Sequence, residues 1–177
     1  MKKVLFLLVL CLGFTFVTAS AEEEKALTRS DFCTQMYSIV KYMDPFGELE
    51  ITKSFDDCDA KAVNLMLSAG IVNGVGDNKF NPDEAITREE ATAIFGRFCK
   101  SINFPANLSE FEYVDHAEIS DWAKDDVYSA YYCGIALNPE SDTFEPKATV
   151  TATTVDKNTI WLYVMYTGNE YPPATDN

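Results

Sequence analysis

Gly70-Ile71-Val72-Asn73-Gly74, Phe80-Asn81-Pro82-Asp83 and Ile86-Thr87-Arg88-Glu89-Glu90 form the stretch that decides the fold. A shift of 64 residues returns its skeleton: Gly134-Ile135, Phe144, Pro146 and Thr151 stand where Gly70-Ile71, Phe80, Pro82 and Thr87 stood. Val63 and Val127, each seven residues before the glycine, keep the register. Upstream, Phe55-Asp56-Asp57 and Tyr113-Val114-Asp115 match at a spacing of 58, so the later unit carries six extra residues before its first helix. Leu27-Thr28-Arg29-Ser30-Asp31 corresponds to Ile86-Thr87-Arg88-Glu89-Glu90 and marks a further half-unit. Periodicity of this length signals stacked supersecondary units that share a core.

Each unit reads as helix, loop, helix. Asp57 or Asp59 is placed to cap a helix carrying Val63, Met66 and Leu67 at helical spacing, and Gly70 supplies a left-handed stop. The counterpart opens at Ser120 or Asp121 and ends at Gly134. The loops Gly74–Asn78 and Asn81-Pro82-Asp83 are turn chemistry. The second helix starts at Thr87, where Thr87 and Glu90 form a capping box, and Ile86 with Ala91 take the hydrophobic-staple positions. Phe95 and Phe98, like Met36 and Ile39 in the first unit, continue an apolar face. No segment alternates long enough to be a strand. The expected class is all-α: helix-loop-helix repeats packed as a pseudo-threefold module. The expected boundaries are 1–21 for a leader, 22–49 for a partial first repeat, 50–105 and 106–166 for the second and third, and 167–177 for a loose tail.

Lys2 and Lys3, an apolar run from Val4 to about Val17, and Ala19-Ser20-Ala21 have the build of a secretory signal peptide. The run is shorter than the roughly 20 residues of a membrane span. Cys11 as a lipidated cysteine is disfavoured by the bulk of Leu10. The 177-residue chain has 14 basic and 28 acidic residues; without Lys2 and Lys3 the balance is 12 against 28, or −16. Such an excess repels nucleic acid and anionic membranes. One histidine, His116, and sparse cysteines disfavour a zinc site. No acid, base and nucleophile set converges on an enzyme, and no cofactor motif is present.

Cys33, Cys58, Cys99 and Cys133 read either as buried thiols or as two disulfides in one of three connectivities. If two helices of the middle unit fold back on each other, the pairing is Cys58–Cys99 with Cys33–Cys133.

The quoted motifs resemble the S-layer homology repeat of bacterial surface proteins, and Asp121-Trp122-Ala123-Lys124-Asp125 looks like its first-helix entry. The resemblance covers about residues 26–165. It implies three helical units around a pseudo-threefold axis that hold a secondary cell-wall polymer, anionic and often pyruvylated, in the grooves between units. It also implies that the arginine of the Thr-Arg motif is a main ligand. Departures are visible: the first unit keeps one helix, Cys58 stands near a family tryptophan, and Ala152 replaces the third arginine.

The candidate ligand residues are therefore Arg29, Arg88, Thr28, Thr87 and Trp122. A cation at a helix start is unfavourable by roughly 0.3–1 kcal/mol. Beside unpaired N–H groups, however, it completes an anion site. Both arginines are expected at the surface, and pairing with neighbouring carboxylates is the competing role. The Asp77–Asp83 loop lacks calcium-loop spacing, His116 reads as a loop residue, and Tyr128, Tyr131 and Tyr132 read as packing. Two functions follow: a polymer-binding anchor exported to the cell wall or surface, or a degenerate extracellular unit that contacts another surface protein.

Overall fold

The computed structural model describes residues 24–43, 45–105, 111–139 and 141–168. The leader and the segment after Gly168 lie outside the described residues. Five α-helices occur among the described residues: α1 (Arg29–Met43), α2 (Lys61–Ser68), α3 (Arg88–Ser101), α4 (Asp121–Tyr132) and α5 (Ala152–Thr167). A 3-10 turn spans His116–Glu118, and β pairing among the described residues is confined to isolated bridges.

Local chemistry sets most helix ends. Thr87 caps α3 in a full capping box with Glu90. Thr28 accepts from the Asp31 amide at 3.0 Å. At α5 Thr151 makes no side-chain cap; Thr154 stands 64 residues after Glu90 and has no carboxylate to complete a capping box. Gly70 and Gly134 take φ of +75° and +84°, a region costly for residues with a Cβ, and so end α2 and α4.

The start of α2 differs from the sequence reading. Its N-cap is Ala60, without a side-chain bond, and neither Asp57 nor Asp59 caps it. Asp57 instead turns to the loop, where its carboxylate accepts from the Phe80 amide at 2.8 Å and the Asn81 amide at 2.9 Å. Asp115 does the same for Phe144 and Glu145, at 2.6 and 2.7 Å. Burial works against the Asp57 charge, but the Asn81 and Phe80 amides outweigh it and hold the pKa below the usual 3.8. A lowered carboxylate pKa stabilises the fold above the unfolded value and stops doing so as pH falls through the folded one. The Phe80 and Asn81 amide NMR signals should therefore stay in place down to pH 3.8 and shift together only below it. Movement already near pH 5 contradicts this role.

The helices pack as α1 on α2, α1 on α5 and α3 on α4. One core gathers Phe32, Met36, Ile71, Phe80, Phe95 and Phe98. A second, smaller cluster holds Tyr113, Ile119, Val127 and Phe144, with Phe111, Tyr128 and Tyr131 packed against it. Tyr131 stacks on Phe111 at 4.9 Å, so these tyrosines serve packing. Loops tie the helix starts together. The Arg29 and Ser30 amides donate to Glu84 and Pro82 carbonyls at 2.8 and 3.0 Å, and the Arg88 and Glu89 amides to Ala148 and Pro146 at 2.7 and 3.0 Å. Leu27 donates to the Val150 carbonyl at 2.9 Å, and the Thr153 amide to the Glu24 carboxylate at 2.7 Å.

Candidate functional site

A cleft of about 450 Å³ opens where α1, α3, α4 and the loop after α2 meet. Arg29 comes from the first turn of α1, Asn73 and Gly74 from the loop, and Trp122 from the first turn of α4. Glu90, Ile94 and Arg97 of α3 form one wall. Gly74 is required where it stands: a Cβ there would lie 2.5 Å from the Lys79 carbonyl oxygen and 2.7 Å from the Phe55 ring. Trp122 is 54% exposed and offers an indole face to solvent.

Two ion pairs line the cleft. The Arg29 guanidinium donates from Nε to the Phe80 carbonyl at 2.7 Å and from Nη1 to Glu90 Oε1 at 2.6 Å, and its Cζ lies 4.6 Å from the Phe80 ring centre. The other Glu90 oxygen accepts from the Thr87 amide and hydroxyl at 2.9 and 3.0 Å. Arg97 Nε donates to Asp126 at 2.8 Å, and Lys100 bonds the second oxygen at 2.7 Å. A guanidinium has five donors. The Arg29 bonds engage Nε and Nη1, so the fork is held rigid with donor capacity left for a ligand.

These contacts correct the sequence reading of the arginines. Arg29 is only 4% exposed and is a buried part of the scaffold, not a surface residue. The first-turn amides beside Arg29 and Arg88 are already held by loop carbonyls, so they are not open donors for an anion. That occupation comes from loops distant in sequence, which no local pattern reveals. Arg88 does not line the cleft. Its Nη1 donates to the Phe144 carbonyl at 2.6 Å and to Glu145 Oε2 at 2.9 Å, and its buried Nε has no hydrogen-bond partner.

The structure brings Arg29 and Trp122 together and keeps Arg88 apart; Thr28 and Thr87 act as helix caps next to these sites. Arg97 and Asn73 were missed by the sequence reading. Arg97 lies on the same face of α3 as Glu90 and Ile94, a signal that helical spacing could have supplied. At the third helix start, where Ala152 replaces arginine, the Glu24 carboxylate fills the amide site. His116 pairs with Glu112 at 3.0 Å in the turn before α4. No group of metal-ligating side chains and no helix apolar and long enough to cross a membrane occurs among the described residues.

The disulfides Cys58–Cys99 and Cys33–Cys133 expected from the sequence are not formed in the structure. All four described cysteines are buried free thiols, and Cys99 and Cys133 line one cleft. Cys33 has Cys58 as its nearby thiol. Burial pushes the Cys33 thiol up to about 12.

Comparison with known proteins meets this geometry in the same region. Residues 54–92 match the family model of the S-layer homology domain. An amylopullulanase of Thermoanaerobacterium thermosulfurigenes is 33% identical over 134 residues, 73% of this chain. Exoglucanase XynX of Acetivibrio thermocellus is 32% identical over 134 residues, again 73% of the chain. A cellulosome-anchoring protein of A. thermocellus is 25% identical over 112 residues, 59% of the chain. The chain spans 7%, 12% and 24% of these three proteins. Residues 54–92 are an S-layer homology domain.

Proposed function

We propose that this chain is a non-catalytic module of the bacterial cell surface that holds a secondary cell-wall polysaccharide in the cleft between Arg29 and Trp122. One observation carries the reading: an exposed indole and a rigidly held guanidinium share a cleft with loop residues Asn73 and Gly74 of the S-layer homology domain. A sugar ring stacks on an aromatic face, and a carboxylate or pyruvyl group takes guanidinium N–H donors. Similarity to a protein named for anchoring supports the same direction. We further read 22–49, 50–105 and 106–166 as three units around a pseudo-threefold axis. The matching Asp57 and Asp115 loop clamps and the Arg29–Phe80 and Arg88–Phe144 contacts support that reading. In it, the Arg29 cleft is the competent groove. The Arg88 counterpart has Leu137 and Asn138 in place of Asn73 and Gly74, and Trp161 in place of Arg97.

The test is co-sedimentation of the exported protein with purified cell-wall sacculi, before and after extraction of the secondary polymer. Trp122→Ala should weaken binding by about tenfold or more, the scale of an aromatic anchor. Its melting temperature should hold, since the ring is largely in solvent. Equal binding by wild type and Trp122→Ala rejects the cleft.

A second reading has its own observation. Val164, Met165 and Tyr166, at 38%, 52% and 40% exposure, leave apolar surface on α5. That suits an extracellular contact with another surface protein, and a wild type that ignores sacculi favours it.

A further inference from the structure

We propose that Cys99 and Cys133 are a redox pair that closes into a disulfide stapling the C-terminal ends of α3 and α4. The two helices run side by side in the same direction, and three contacts fix their register. At the start, the buried Glu89 carboxylate accepts from the Ser120 amide and hydroxyl, both at 3.0 Å. Midway, Gly96 backs directly onto Asp126. At the far end Cys99 and Cys133 line one cleft and flank Phe104, whose amide donates to the Cys99 carbonyl at 2.9 Å and whose carbonyl oxygen lies 3.9 Å from Cys133 Sγ. The register is therefore set by contacts upstream, and both cysteines reach the same cleft without help from a covalent bond.

Both thiols also line a cleft of about 420 Å³ with Lys100, Asn103 and Tyr132. The pair is buried against the core yet borders open space through which a small disulfide can approach. Cys33 lacks this access: it is fully buried in the core and borders no described cleft. Within the pair the sulfurs are unequal. Cys99 beside it holds the Cys133 thiol below the usual thiol range, so Cys133 is the first to become thiolate, the reactive form.

The reaction needs a low-molecular-weight disulfide as oxidant. The Cys133 thiolate attacks one of its sulfurs, the S–S bond breaks, and one thiol leaves as thiolate. Cys99, losing its proton, attacks the Cys133 sulfur of the mixed disulfide and expels the second thiol. Two protein thiols are oxidised and one disulfide is reduced to two thiols.

The experiment incubates the whole chain with oxidised glutathione and maps peptides without reduction. We expect a mass loss of about 2 Da per molecule, one Cys99–Cys133 cross-linked peptide and reversal by dithiothreitol. The thermal midpoint should rise by about 5–10 °C, since a cross-link constrains the unfolded chain. A Cys33→Ala/Cys58→Ala variant should cross-link like wild type. Cys133→Ser, followed in the same peptide map, should not form the bond. A Cys33–Cys58 link alone, a stable glutathione adduct without an internal bond, or unchanged free thiols overturns the proposal.

Discussion

Arg29→Ala should lower the stability of the folded chain by about 3–5 kcal/mol, the cost of breaking a buried ion pair by removing one partner. The reasoning starts from burial. The Arg29 side chain is 5% exposed, and its desolvation is offset by the Phe80 carbonyl, the Glu90 carboxylate and the Phe80 ring. Truncation leaves the Phe80 carbonyl oxygen without this donor, strips the charge that balances Glu90 and opens space beside the ring. The melting temperature should fall by on the order of 10 °C. A double variant, Arg29→Met with Glu90→Gln, should recover part of the loss, because a neutral pair needs no compensation. Denaturant titration of the three proteins checks this. A loss under about 1 kcal/mol for Arg29→Ala would show that the guanidinium is held for its ligand and not for the fold. Polymer-binding assays on Arg29 variants thus need a folding measurement beside them, whereas Trp122 variants do not.

Gly96→Ala should destabilise by about 3 kcal/mol or more, at or above the top of the usual range for overpacking. A Cβ built on Gly96 falls 1.9 Å from the Asp126 carbonyl oxygen and 2.7 Å from its carbon. The obstacle is helix backbone, which has no rotamer to change, so α3 and α4 must move apart. That movement stretches the Arg97–Asp126 and Lys100–Asp126 bonds and lifts Trp122 from the cleft. Urea denaturation should show a lower midpoint, and sacculus binding should weaken with it. An unchanged midpoint would mean that the close helix approach does not contribute to stability.

How far the chain could be read in advance depended on whether a signal was local. Helix starts at Thr28 and Thr87 rest on side chains within a few residues, and the stops at Gly70 and Gly134 on local backbone conformation. The capping box at Thr87 and Glu90 is the clearest case. Trp122 was selected as a ligand residue, and it does line the cleft with Arg29. What failed was long-range. Asp57 looked like a helix cap but clamps amides 23 and 24 residues away. The burial of Arg29 depends on Phe80 and Glu90, 51 and 61 residues on. Which cysteines share a cleft depends on which helix lies beside α3, and neither spacing nor propensity carries that information.

The bond between Thr153 and Glu24 joins residues 129 apart in sequence, and Leu27 meets Val150 beside it. Kinetically, this makes the helical chain behave unlike a simple bundle. Helices α2, α3 and α4 can form from neighbouring stretches, and residues 82–86 seat part of the segment before α1, but its contacts through Glu24 and Leu27 close only when residues 150–153 arrive. Search entropy grows with the span to be closed, and folding slows as contacts become less local. Completion should therefore be late and all-or-none, slower than the helix content suggests.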